Sequence, residues 1–90
     1  MRQLTEYEAI KISESDVWKK WSHKKRAAFQ IRQELLSLPF DVFHEAVETV
    51  LDRPVMTHEF AYFQVLETVK KLTEDVEINI TEIIVEVCNS

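Results

Sequence analysis

Asp41-Val42-Phe43-His44-Glu45-Ala46-Val47-Glu48-Thr49-Val50-Leu51 is the stretch on which the fold turns. Phe43, Ala46, Val47, Val50 and Leu51 recur at i, i+3, i+4, i+7 and i+8, a spacing that gathers apolar side chains along one side of a 3.6-residue helix. Asp41 is expected to cap its start, and Asp52-Arg53-Pro54 to break it. Upstream, Pro39 has no amide for a continuing helix and disfavours helical geometry in Leu38, so the chain must turn there.

Working outward toward the N-terminus, Ala28, Ile31, Leu35 and Leu38 fall at i, i+3, i+7 and i+10, with Ala27 and Leu36 widening the stripe. With Ser22 as cap, they predict a helix over about residues 22–38. Ser13 and Asp16 have a loose capping-box spacing that is expected to start a short helix carrying Trp18 and Trp21. Leu4, Tyr7, Ala9 and Ile10 predict another short helix, capped by Thr5. In the other direction, Thr57 is expected to cap a long helix over about residues 58–72, bearing Phe60, Ala61, Phe63, Val65, Leu66, Val69 and Leu72. That stripe is broad enough for a central helix, or for one that keeps a face for a partner.

The segment 76–88 reads two ways. Val76, Ile78 and Ile80 alternate as in a strand, whereas Val76, Ile80, Ile83, Ile84 and Val87 fit a helix. No second strand-like run exists to pair its backbone, so helix is the expectation and a strand the alternative. The fold predicted over residues 1–90 is a single all-α domain, a small bundle of four to five helices.

Composition narrows the chemistry. The chain has 90 residues, 46% hydrophobic and 30% charged, with nine aromatics, enough apolar surface for one core and too few residues for two. Glycine is absent, which excludes the phosphate-cradling loops of nucleotide enzymes. One cysteine, Cys88, permits neither an intrachain disulfide nor a multi-thiolate zinc site, and suits a reducing compartment. No apolar run approaches the roughly 20 residues that cross a bilayer, and the first residues lack a signal-peptide core. A cytoplasmic protein without membrane contact is expected. Residues 1–40 carry eight Lys/Arg against five Asp/Glu, residues 41–90 three against eleven, so a net charge of −5 conceals a basic and an acidic half.

Lys19, Lys20, Lys24, Lys25 and Arg26 crowd around Trp18 and Trp21, a combination able to neutralise phosphates and stack bases. Nucleic acid is the alternative partner on that account. The overall acidity opposes it, and the plainer expectation is that these cations pair with the acidic half. Asp41, His44 and Glu48 share a helical face, but Glu48 stands where a zinc-protease motif has its second histidine, so no metal, cofactor or catalytic residue is assigned. Arg53-Pro54-Val55-Met56-Thr57-His58-Glu59 is expected to lock a helix corner: Pro54 stiffens it, Val55 and Met56 plug it, Thr57 starts the next helix, and Arg53 pairs with Glu45, Glu48 or Glu59. Trp18, Trp21, Phe29, Phe40, Tyr62 and Phe63 lie partly outside the stripes and are expected as surface anchors for a protein partner.

Over Leu38–Glu48 and Arg53–Ala61 the chain resembles small phage and prophage proteins of uncharacterised function. Their recurring phrase is a Phe/His-rich helix followed by Gly-Arg-Pro-Val-hydrophobic-Thr-His-Glu. Asp52 stands here where those proteins commonly have glycine. The resemblance implies a phage accessory protein in a bacterial cytoplasm. Together with the surface aromatics it leads to the expectation of a non-enzymatic protein that binds a host or phage protein, blocking a host process or defence, with self-association as a further use of the same surface.

Overall fold

The computed structural model describes residues 2–88. Five α-helices follow one another, α1 (Glu6–Ser15), α2 (His23–Ile31), α3 (Phe40–Leu51), α4 (Phe63–Leu72) and α5 (Ile80–Cys88). Two 3-10 turns intervene, Val17–Lys20 and Thr57–Ala61, and there is no strand among the described residues. The all-α bundle is as expected, and the ambiguous C-terminal segment is helical. Ile80, Ile83 and Val87 bury one face of α5 at i, i+3 and i+7.

Thr5 caps α1 in a full capping box: its hydroxyl accepts from the Glu8 amide while the Glu8 carboxylate accepts from the Thr5 amide. The capping expected of Ser13 and Asp16 does not occur. α1 runs through Ser13 to Ser15, and Asp16 caps its C-terminal end in a left-handed conformation at φ 59°. Asp52 ends α3 in the same way at φ 55°. Aspartate is among the few residues that tolerate this region, and a chain without glycine uses it at both positions.

Ser22 caps α2 as expected, through the Lys25 amide. The helix does not reach residue 38; it stops at Ile31. The physical reason is a set of side-chain amides that satisfy the following backbone better than another helical turn. Buried Gln30 accepts from the amides of Ser37 and Leu38, at 2.8 and 3.0 Å, and donates to the Leu35 carbonyl. Gln3 donates to the Arg32 carbonyl and accepts from the Glu34 amide. Gln33 returns the favour to the N-terminal strand of chain, holding the Leu4 amide and the Arg2 carbonyl. Leu38 is thereby buried while Leu35 and Leu36 are left exposed.

α3 begins with Pro39, whose carbonyl accepts from Val42 and Phe43, so Asp41 is not the cap. It lies in the first turn, where its charge complements the positive helix end. The expected helix over 58–72 is broken at Tyr62 into the 3-10 turn Thr57–Ala61 and α4. Thr57 is not a cap either. The amide of Met56 is held instead by Glu59, and Thr57 lies within the turn.

Two apolar clusters hold the fold, where a single core was expected. One joins α1, the first 3-10 turn, α2 and α5 through Leu4, Ile12, Val17, Trp18, Trp21, Phe29, Leu38 and the α5 stripe. The other joins α2, α3 and α4 through Ala27, Phe43, Ala46, Val47, Val55 and Val69. α2 and α3 form the most extensive helix pair. α4 buries only Val69 completely, so it is not the central helix its stripe allowed; it is the helix that keeps a face exposed.

Candidate protein-docking surface

The Arg53–Glu59 segment builds a corner between α3 and α4. His44 and Glu48, one helical turn apart on α3, both reach the backbone of Val55. The His44 Nε2 donates to the Val55 carbonyl at 2.6 Å, and the Glu48 carboxylate accepts from the Val55 amide at 2.9 Å. That fixes His44 with its proton on Nε2, since a carbonyl can only accept. Val55, thus held at both backbone groups, plugs the core. Of its expected companions, Met56 points outward. Arg53 pairs with Glu59 at 3.0 Å and donates to the Pro54 carbonyl, while Glu59 also takes the Met56 amide. The Arg53 guanidinium and that amide hold the Glu59 carboxyl below its ordinary range. His58 leaves the lock and sets its ring edge-on to Tyr62.

Aromatic rings pave the corner. Phe60 meets Phe40 at 5.2 Å, Phe43 at 5.5 Å and the His44 imidazole at 5.2 Å between ring centres. Only Phe43 of these is fully inside. Phe40, part of this ring cluster, is 39% exposed, and along the segment that follows α3 Met56, Tyr62 and Phe63 are exposed at 63%, 52% and 74% of full accessibility. Their combined free area is on the order of 400 Å²; the largest apolar patch of a soluble monomer is typically about 300–600 Å² and often functional. Sequence reasoning missed Met56 and Phe60.

The other expected anchors are elsewhere. Trp18, Trp21 and Phe29 are buried, which corrects their placement at the surface. Trp21 packs edge-on to Phe29 at 5.2 Å, and the cations interleaved in sequence lie over the indoles, Lys25 at 4.9 Å from Trp21 and Arg26 at 5.6 Å from Trp18. The basic patch is therefore a roof over an apolar floor. Lys19 pairs with Asp16, Lys20 with Glu86 and Lys24 with Asp75, the last two joining the basic half to the acidic one. Arg26 donates to the carbonyls of Trp18 and Lys19. The Lys24 ammonium lowers the Asp75 carboxyl.

His44 and Glu48 come together, but to grip backbone, and Asp41 stays exposed. Among the described residues no group of three or more His, Cys, Asp and Glu side chains is arranged to hold a metal ion. A cleft of about 740 Å³ between the start of α5 and Trp21 is lined by charges of both signs, Lys25 and Glu82 among them, and by no histidine. No helix among the described residues is long and apolar enough to cross a membrane.

The described residues form a small helical domain with an exposed aromatic corner between α3 and α4. Residues 25–77, more than half of the chain, match the family described as a domain of unknown function, DUF7736, and the chain belongs to that family. The matched segment runs from α2 through the Gln30-held loop, α3, the corner and α4; it leaves out the two tryptophans and α5. No curated protein and no solved structure matches the chain.

Proposed function

We propose that this chain is a non-enzymatic accessory protein of phage or prophage origin. It acts by docking the surface formed by Phe40, Met56, Tyr62 and Phe63 onto a protein of the bacterial host or of the phage, and so blocks a host process or defence. One observation carries the reading: four large side chains suited to anchor an interface, Phe40, Met56, Tyr62 and Phe63, stand exposed at or beside the corner between α3 and α4, where Phe40 packs against Phe60. Exposed aromatics on a preorganised base lose little side-chain freedom on binding, which is what makes them effective anchors. Beneath them, the polar groups with the most suggestive chemistry, His44 and Glu48, are engaged in holding Val55.

The test is affinity capture from a bacterial host lysate with the tagged chain and with a Tyr62→Ser/Phe63→Ser variant. A specific protein retained by the parent chain and lost with the variant is the expected result. Capture that ignores both substitutions, or no capture at all, overturns the reading.

A further inference from the structure

Asp41, Glu45, Glu48 and Asp52 fall at i, i+4, i+7 and i+11 from the first turn of α3 to its C-cap, so their carboxylates line one ridge about 16 Å long. Asp41, Glu45 and Asp52 are exposed and Glu48 is half-buried. Among the described residues no lysine or arginine forms an ion pair with any of the four. Their nearest ionisable neighbours are His23, 4.0 Å from Glu45, and His44, 3.7 Å from Glu48, whose Nε2 proton goes to the Val55 carbonyl. Arg53 lines the same groove as Glu45, Glu48 and Asp52, but is taken by Glu59. The basic half differs, since Lys19, Lys20 and Lys24 each have a carboxylate of their own. Carboxylates one turn apart repel each other, and the later ones here also meet the negative pole of α3, whose last turn has no basic residue. The ridge joins the apolar corner at both ends: it starts beside Phe40, the first residue of α3, and finishes at the Arg53-Pro54 turn that leads to Met56.

We infer that the occupant of this corner is a basic amphipathic helix of a partner protein, its lysine and arginine side chains along the α3 ridge and its apolar face against Phe40 and Met56. Charge complementarity selects it: the ridge is a line of negative charge left without a lysine or arginine partner, and it runs into the apolar patch. A helix lying along α3 repeats its cations at the same one-turn interval as the carboxylates, so several pairs form in one register. Nucleic acid and anionic lipid carry the wrong sign for this face. Exposed ion pairs are individually weak, so the ridge sets the orientation and speed of encounter while the apolar side chains hold the complex. The inference rests on reading the corner as a surface that docks protein, and names the chemistry of what docks.

The probe is a fluorescein-labelled synthetic helix with lysines on one face and leucines on the other, set against a counterpart carrying glutamate for lysine and against a labelled oligonucleotide. Anisotropy titrations read the binding. The parent chain is expected to bind the lysine helix alone, more weakly as salt is raised. Asp41→Asn/Glu45→Gln/Asp52→Asn is expected to weaken that binding about tenfold or more, with unchanged helical circular dichroism; Glu48 is left in place because it holds Val55. Glu74→Gln/Glu77→Gln/Glu82→Gln removes the same charge away from the ridge and is expected to weaken binding by less than about twofold. Equal losses from the two triple substitutions, binding indifferent to the α3 set, or a preference for the glutamate helix or the oligonucleotide overturns the inference. A host protein captured through Tyr62 and Phe63 whose retention ignores the α3 set removes the basic helix and leaves the proposed function standing. Selective binding of the lysine helix through α3, by a chain that captures nothing from a lysate, does the reverse.

Discussion

Two groups of aromatic residues in this molecule meet different fates. Trp18, Trp21 and Phe29 are drawn inside by the stripe of α5, which offers Ile80, Ile83 and Val87 as a second apolar surface. Phe40, Tyr62 and Phe63 are chemically similar and remain outside, because the corner between α3 and α4 is covered by no further helix among the described residues. Burial is thus decided less by side-chain character than by whether another element arrives to complete the layer. The difference also follows the family boundary: the matched segment contains the whole open corner and only part of the closed cluster.

The sharpest way to break this contrast is to truncate one member of each group. Phe29→Ala removes a fully buried ring and should cost about 3–5 kcal/mol, enough to unfold much of a small domain, whereas Phe63→Ala should change stability by under about 0.5 kcal/mol. Urea denaturation followed by circular dichroism measures both. Equal losses would mean the corner is as essential to folding as the core.

Next in size is Gln30→Ala, which strands the buried amides of Ser37 and Leu38 and the carbonyl of Leu35. A loss of about 2–3 kcal/mol is expected. Faster hydrogen exchange confined to residues 33–39 would locate it. Smaller, and opposite in sign, is Asp52→Gly. A residue without Cβ enters the left-handed region freely, so thermal unfolding should show a gain of up to about 1 kcal/mol.

The smallest effect is a pH dependence at the start of α1. The Arg2 guanidinium, helped by the Thr5 amide, depresses the Glu8 carboxyl to about 2 in the folded chain. A depressed carboxyl contributes stability that is complete above its ordinary value and is lost as the pH falls through the folded one. Glu8→Gln should therefore be less stable than the parent at neutral pH, and the gap should close between the ordinary glutamate range, about 4.5, and pH 2. The pair is partly exposed, so the gap is small. Acid titrations of both chains, compared by denaturant midpoint, read it.

Much of this fold was legible in the sequence for local reasons. The α3 stripe, the Thr5 and Ser22 caps and the helical face of α5 are written in residues three to eight apart, which is the range helix periodicity can sense. The misreadings have long-range causes. Leu35 and Leu36 continue the α2 stripe, and nothing nearby announces that Gln3, Gln30 and Gln33 will claim that backbone from elsewhere in the chain. Trp18 and Trp21 lie partly outside the helical stripes and so read as surface anchors, yet the lysines beside them in sequence cover the rings. The corner lock was readable from Arg53 and Glu59, whereas the grip of His44 and Glu48 on Val55 depends on how α3 meets the turn after it.

The passage from α2 to α3 is fastened by carboxamides, which neither titrate nor lose their bonds to added electrolyte. Strong salt should therefore loosen the molecule from its rim inward, releasing Lys20 from Glu86 and Lys24 from Asp75 while the hairpin within the family segment keeps its shape. A surface carried on that hairpin would stay presentable in ionic conditions that strip the charges around it.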